Sequence, residues 1–204
     1  MKFVNAIITL SLFFSSQLSA NDAALYDPKP NKDSSFVRLV NTANTKQTLQ
    51  INGKKTRSTD AYSVSPYIAL DAGSYQISIG VTEKEITIPS NHKYTLFIQD
   101  NQIRFVEQAK NTSKKSARIA FLNLSEQPLS LTTQNNKSVF EQLGKYQAIE
   151  RDVNPMKLNF VVKNDNQAIV ADVNGVSMKR GFSSDIITFN TALGTKALTS
   201  NSEW

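Results

Sequence analysis

Apolar and polar residues alternate along most of this chain with a period of two. The clearest stretch is Tyr75-Gln76-Ile77-Ser78-Ile79, where every second side chain belongs to one apolar face, as in a half-buried strand. The same alternation runs through Leu49-Gln50-Ile51, through Ile86 and Ile88, through Met156, Leu158, Phe160 and Val162, and through Ile169, Ala171 and Val173. Short apolar runs at 36–41, 67–70, 94–98, 103–106, 119–122, 129–131 and 186–189 predict further strands. Asn52-Gly53 and Asn174-Gly175 suit the positive φ angles of tight hairpin turns. Asp100-Asn101 and Asn164-Asp165-Asn166 predict two more turns, and Pro89 stops a strand. Helix signals are poor. Ser138 and Glu141 have the spacing of a capping box, but Gly144 cuts that segment short, so it predicts a strand or a single turn.

The pattern also repeats. Val37-Arg38-Leu39-Val40-Asn41 is followed by polar turn residues and then by Leu49-Gln50-Ile51. Ile119-Ala120-Phe121-Leu122-Asn123 is followed in the same way by Leu129-Ser130-Leu131. One small β unit is used twice. Many short strands with Asn, Gly and Pro punctuation indicate sandwiches rather than an α/β fold. The expectation is an all-β protein of two small antiparallel β-sandwich domains in tandem. Residues 36–109 form the first domain and 117–198 the second. The polar, basic stretch 110–116 joins them as a linker, 21–35 is an extended N-terminal arm with Pro28 and Pro30, and 199–204 is a loose polar tail. The predicted strands are short of the roughly 9–11 residues that each pass of an outer-membrane barrel needs.

The first 20 residues depart from this pattern. Lys2 precedes an almost wholly apolar run from Phe3 to Phe14, and Leu18-Ser19-Ala20 supplies small residues at a cleavage site. The segment reads as a secretory signal peptide, too short for a spanning helix, so export to the periplasm without stable membrane insertion is expected. About 184 of the 204 residues then remain, enough for two domains. There are no cysteines. An exported protein of this size must therefore stand on its cores without disulfides, and thiolate nucleophiles, zinc-thiolate sites and iron–sulfur ligation are excluded.

Lysine and arginine total 23 against 17 acidic residues, a formal charge of +6. The basic residues fall in short groups: Lys54, Lys55 and Arg57; Lys114, Lys115 and Arg118; Lys179 and Arg180. Such groups are ordinary solvated loops in most proteins. Alternatively they attract an acidic polysaccharide or an acidic protein. Lys54, Lys55, Arg57, Lys179 and Arg180 are the candidate interaction surface. Nucleic acid is not an expected partner, because export argues against it and no nucleic-acid motif is present.

Candidate chemistry is sparse. His92 is the only histidine and sits in the turn Pro89-Ser90-Asn91-His92-Lys93. Alone it cannot build a multi-histidine metal site, and any Ser-His-Asp triad would have to use it. No Gly-x-Ser-x-Gly elbow occurs. Asp60, Asp71, Glu83, Glu85, Glu126, Glu141, Glu150 and Asp152 are the carboxylates from which a glycosidase pair would have to come. Asn164-Asp165-Asn166 lacks the glycine and distant glutamate of an EF-hand loop. No phosphate-binding glycine loop is present, and no cofactor is expected. The residues point to binding rather than catalysis.

An ordered set of segments carries a family resemblance. It comprises Ala24-Leu25-Tyr26-Asp27-Pro28, Ser35-Phe36-Val37-Arg38-Leu39-Val40-Asn41, Leu70-Asp71-Ala72-Gly73-Ser74-Tyr75 and Lys93-Tyr94-Thr95-Leu96. In the second half come Lys115-Ser116-Ala117-Arg118-Ile119, Leu122-Asn123-Leu124-Ser125, Pro128-Leu129 and Arg151-Asp152-Val153-Asn154-Pro155-Met156-Lys157-Leu158. In this order the chain resembles the AlgF family of alginate O-acetylation proteins, from about Leu25 to Phe189. The resemblance implies a periplasmic, non-catalytic adaptor in exopolysaccharide O-acetylation. Its implied partners are a membrane-bound acyltransferase and periplasmic acetyltransferase components. The loops here are richer in Asn, Ser and Lys than the family's pattern, and related acetylation modules serve other polymers, including cellulose. The rival readings are a polysaccharide-binding module of the cell envelope, and a hydrolase or acetyltransferase using His92.

Overall fold

The structure is a computed structural model that describes residues 30–110 and 114–203. The segment read as a signal peptide, most of the expected arm, part of the expected linker and Trp204 lie outside the described residues. Every regular element among the described residues is a strand. The first half contains β1 (Ser35–Asn41), β2 (Gln47–Ile51), β3 (Lys54–Thr59), β4 (Ser63–Val64), β5 (Ile68–Leu70), β6 (Gly73–Ile79), β7 (Thr82–Ile88), β8 (His92–Gln99) and β9 (Gln102–Ala109). The second contains β10 (Ala117–Asn123), β11 (Leu129–Thr133), β12 (Ser138–Leu143), β13 (Gln147–Val153), β14 (Met156–Lys163), β15 (Ile169–Met178), β16 (Phe182–Thr191) and β17 (Gly194–Glu203).

Each half is a two-sheet sandwich. In the first, the sheet β4-β1-β8-β9, with β5 also on β1, lies against β3-β2-β6-β7. In the second, β13-β10-β16-β17 lies against β12-β11-β14-β15. The all-β expectation holds, with one amendment. β1 runs parallel to β8, and β10 runs parallel to β16, so each domain carries one mixed sheet. A parallel neighbour cannot be joined by a hairpin. Here the connection passes through the strands of the other sheet and through β4 and β5 in the first domain or β13 in the second, which pair on the far side of β1 and β10.

The alternating positions fill the sandwiches. Val37, Leu39, Leu49, Ile51, Ile77, Ile79, Ile86 and Ile88 form most of the first core. Ile119, Phe121, Leu129, Leu131, Phe140, Phe160 and Val162 form most of the second. A third cluster belongs to neither interior. Val40, Phe97 and Val106 of the first domain meet Ala120, Leu122, Leu124, Ile187 and Phe189 of the second. The sheets containing β1 and β10 are therefore buried on both faces, and the two domains stack as four layers. This double burial explains why these strands read as runs such as Leu39-Val40, Phe121-Leu122 and Ile186-Ile187 rather than as clean alternation.

The repeat is structural. Asn41 and Asn123 end equivalent strands and are 2% and 0% exposed. Asn41 Nδ2 donates to the carbonyls of Thr45, Thr59 and Asp60, and its Oδ1 accepts from the Ala43 N–H. Asn123 Nδ2 donates to the carbonyls of Gln127, Leu143 and Gly144, and its Oδ1 accepts from the Ser125 N–H. Each asparagine thus ties the turn after its own strand to the end of a strand in the opposite sheet. Only a side-chain amide offers a donor and an acceptor at these two points. Asn123→Asp keeps the shape but points a carboxylate oxygen at three carbonyls. We expect it to cost about 3 kcal/mol, measurable as a lowered urea midpoint.

Two local expectations need correction. Asn174-Gly175 is not a hairpin turn. It is a bulge inside β15, where pairing with β14 slips between Leu158↔Val176 and Phe160↔Val173. Gly175 has φ +70°, and its N–H donates to Asn159 Oδ1 at 2.7 Å. The side chain of the neighbouring strand absorbs the extra residue, so the strand continues. The segment after Thr199 is not a loose tail either. β17 extends to Glu203 and pairs with β16 along its whole length, from Thr191↔Gly194 to Phe182↔Glu203. Its polarity reflects the junction it faces.

Candidate functional site at the domain junction

The junction has an apolar half and a charged half. In the apolar half, the two domains exchange tyrosines from equivalent turns. Tyr62 stacks on Phe189 with 6.3 Å between ring centroids, and Tyr146 packs on Phe97 at 5.4 Å. Both tyrosines adopt left-handed backbone angles, φ 52° and 55°. That conformation is an outlier for a bulky residue. Its recurrence at both positions follows from the need to aim each ring at the other domain. Cations cap both rings: Lys196 Nζ lies 4.5 Å from the centroid of Tyr62, and Arg104 Cζ lies 5.6 Å from that of Tyr146.

The charged half centres on Arg38 of β1 and Asp185 of β16. Arg38 Nη1 lies 2.9 Å from Asp185 Oδ2, and the side chains are 0% and 2% exposed. Arg38 Nε donates to Thr95 Oγ1 at 3.0 Å, and Ser183 Oγ donates to Asp185 Oδ1 at 2.6 Å. The guanidinium also lies 4.5 Å over the Tyr67 ring. The repeat makes this arrangement asymmetric. The pairings Arg38↔Thr95 and Ala120↔Asp185 occupy equivalent places in the two sheets. One domain thus supplies Arg and Thr where the other supplies Ala and Asp.

Beside this pair, Arg118 Nη1 meets Glu150 Oε1 at 2.8 Å and Arg118 Nη2 meets Asp152 Oδ1 at 3.0 Å. Gln108 of the first domain donates to Glu150 Oε2 at 3.3 Å. Burial holds the Glu150 carboxyl above its usual range, against the opposing pull of Arg118 and Lys93. Burial likewise raises the Tyr67 phenol, with Arg38 opposing. Lys93, 6% exposed, is pushed down to about 8, chiefly by burial, with Asp185 pulling the other way and Arg38 reinforcing the shift. Because the folded value lies below the unfolded one, charged Lys93 costs stability up to about pH 8. The cost fades as pH rises towards the unfolded lysine value, because the unfolded chain then holds the extra proton. From pH 7.5 to 9.5 this residue should add about 1–2 kcal/mol to stability. Urea midpoints at the two pH values should show that increment in the wild type and not in Lys93→Met.

At the N-terminal end of β1 the junction opens into a cleft of about 270 Å³. Phe36, Pro66 and Tyr67 line it from the first domain, Lys93 and Lys110 add charge, and Ser200–Glu203 of β17 close it from the second. Inside the junction wall, the Tyr67 phenol lies against Thr95, and the buried Ser202 hydroxyl finds no hydrogen-bond partner among the described residues. A second cavity of about 310 Å³ lies at the other end of β1, lined by Thr42, Ala43, Ile79, Val81 and Ile98 among others.

The residues singled out from the sequence fall elsewhere. Lys54, Lys55 and Arg57 sit on β3, an edge strand of the first domain's outer sheet. Lys179 and Arg180 are exposed in the turn between β15 and β16 of the second domain. The His92 ring contacts the Ser90 carbonyl at 2.7 Å and Glu107 Oε1 at 3.1 Å. The buried hydroxyl of Ser35 donates to the Pro89 carbonyl and accepts the His92 backbone N–H. Of the carboxylates, Glu150 and Asp152 do come together, but around Arg118 as a structural ion triad. Asn164 folds its own turn, accepting the N–H groups of Asn166 and Ala168.

A family model described as alginate O-acetyl transferase AlgF matches residues 7–184. The chain belongs to the AlgF family. The alginate biosynthesis protein AlgF of Azotobacter vinelandii is 32% identical over 165 residues, covering 80% of this chain and 76% of that protein. The AlgF of Pseudomonas aeruginosa is 27% identical over 164 residues, covering 79% and 76%. A solved structure of the C-terminal domain of Pseudomonas aeruginosa AlgF aligns with 43% of this chain and 99% of that one, at 21% identity and a TM-score of 0.39. That likeness is too distant to argue from. The junction residues Arg38, Asp185 and Lys93 had no motif to announce them. Arg38 alone gave a signal, as an arginine inside the apolar run Val37-Arg38-Leu39-Val40, whereas Lys93 and Asp185 each stand just before an apolar run.

Proposed function

We propose that this AlgF-family chain is an exported, non-catalytic adaptor in the O-acetylation of an exopolysaccharide, most directly alginate, and that it holds an acetyl-donor component beside an acetyltransferase. The observation that carries this reading is the four-layer stack. The two inner sheets bury each other, and the sheets β3-β2-β6-β7 and β12-β11-β14-β15 are left facing outward on opposite sides. Stacked sheets lie about 10 Å apart, which sets the two outer faces roughly 30 Å from each other. A rigid spacer with two faces raises the effective concentration of one partner near the other. The buried Arg38–Asp185 pair supports fixed rather than flexible spacing.

The names of the relatives point to alginate as the polymer. The family description speaks of a transferase. We assign this chain a role beside the transferase, because its single histidine is engaged by Glu107 and the Ser90 carbonyl. Deleting the gene should leave polymer yield intact and lower its acetyl content, and affinity capture of the protein should recover acyltransferase components. Unchanged acetylation in the deletion strain, or acetyl transfer by the purified protein alone, would defeat the adaptor reading.

A further inference from the structure

The stacked domains point the same way. Phe36 of β1 and Ser202 of β17 line one cleft, Arg38 meets Asp185, and Tyr62 meets Phe189, so β1 and β16 run in one direction. Asn41 and Asn123 bind the turns that follow β1 and β10, so equivalent turns of both halves share an end. The two ends differ in charge. At the end where β1 begins, segments 30–34, 52–55, 110–116, 134–137 and 179–181 hold nine bases and one acid, Asp33. Asp71 and Glu203 bring the acids to three, giving nine minus three, a balance of +6. Nearby, Lys93, Arg118, Glu150 and Asp152 sum to zero. At the other end, the turns at 42–46, 60–62, 80–81, 100–101, 124–128, 144–146, 164–168 and 192–193 hold Lys46 and Lys145 against Asp60, Asp100, Glu126 and Asp165, a balance of −2.

The basic segments join across the domain boundary. Lys110 Nζ donates to the carbonyls of Lys32 and Ser34, and the Gly181 N–H donates to the Ser116 carbonyl. Segment 52–55 extends the surface to the outer sheet of the first domain, and 134–137 extends it to that of the second. The charge thus spans all four layers, roughly 30 Å. Lys32, Lys55, Lys114, Lys137, Lys179 and Arg180 are exposed on it. We propose that this end docks the protein on an anionic phospholipid surface, with the strands upright. A plane meets the loop tips of four layers at once, whereas a single linear polyanion follows one track. The same surface repels the acidic far end, which fixes the orientation. The chain also enters the fold at the basic end, with Pro30 the first described residue, so the apolar run from Phe3 to Phe14 leads into it. Each base within a Debye length of an anionic bilayer, about 10 Å at 0.1 M salt, adds to the attraction. Upright docking leaves both outer sheets free at the sides. The inference goes beyond the adaptor role, and its readout needs no acetylation component.

The test is co-sedimentation of the purified protein with phosphatidylcholine vesicles, with and without about 30% phosphatidylglycerol. Binding is expected only with the anionic lipid, and it should weaken at least about tenfold between roughly 50 and 300 mM salt. Lys179→Gln/Arg180→Gln removes two exposed charges from one turn and should weaken binding about tenfold or more. Lys46→Gln/Lys145→Gln removes two exposed charges from the far end and should leave binding unchanged within about twofold. Equal losses in the two variants would reduce the effect to net charge and overturn the assignment. So would binding that ignores lipid charge and salt, which is the behaviour of the apolar run alone. Absence of binding to the anionic vesicles at low salt would also overturn it, and salt-sensitive binding to a soluble polyuronate would then give this end a polymer partner.

Discussion

Asp185→Ala should destabilise the protein by about 3–5 kcal/mol, because it leaves the fully buried Arg38 guanidinium without its counter-charge. Arg38→Met should cost a similar amount by stranding Asp185. The double variant Arg38→Met/Asp185→Leu should recover most of the loss, since no buried charge is then left unpaired. Denaturant titration of the three variants checks this directly. Additive losses in the double variant would mean that the two side chains are not coupled across the junction. The asymmetry gives the pair a second consequence. Two first domains from different chains would bring Arg38 to a threonine of their partner, and two second domains would bring Asp185 to an alanine. Only the heterologous pairing neutralises both charges, so the ion pair favours stacking of the two unlike halves.

Phe97→Ala should cost about 3–5 kcal/mol, the usual range for deleting a fully buried ring. Its location makes the loss specific. Phe97 points away from its own sandwich and packs on Tyr146 of the other domain. Removing the ring should therefore weaken the junction while leaving both sandwich cores filled. Part of the loss should disappear when Tyr146→Ala is already present, with a coupling of about 0.5–1.5 kcal/mol for an aromatic pair. Thermal unfolding of Phe97→Ala, followed separately by signals from each domain, should show the two transitions separating. Coincident transitions with a large loss of stability would place Phe97 in a single undivided core.

Much of this architecture was legible in the sequence. The alternation at Tyr75-Gln76-Ile77-Ser78-Ile79 is β6, with Ile77 and Ile79 buried. The echo between Asn41 and Asn123 marks a duplicated hydrogen-bonding device. What was illegible depended on partners remote in sequence. Asn174-Gly175 has the local chemistry of a turn, yet Asn159 on the adjacent strand satisfies it as a bulge. The polar segment at 199–203 looks unfit for a core, yet it forms a strand whose serines face a polar junction. Arg38 and Asp185 are distant in sequence; Arg38 interrupts an apolar run, and Asp185 follows Ser183-Ser184 just before one. Their meaning appears only when the second faces of both sheets are seen to be buried. The basic groups, by contrast, were easy to read and sit on separate elements: Lys54, Lys55 and Arg57 on β3, and Lys179 and Arg180 in the turn before β16.

The claim beneath the adaptor reading is that two duplicated sandwiches behave as one body because their inner sheets bury each other. Scanning calorimetry of the purified protein tests it most directly. The account predicts one transition whose calorimetric and van't Hoff enthalpies agree, at about 0.7 kcal/mol per residue for the whole folded chain. Two separate transitions in the wild-type protein, each with the enthalpy of a single sandwich, would contradict it.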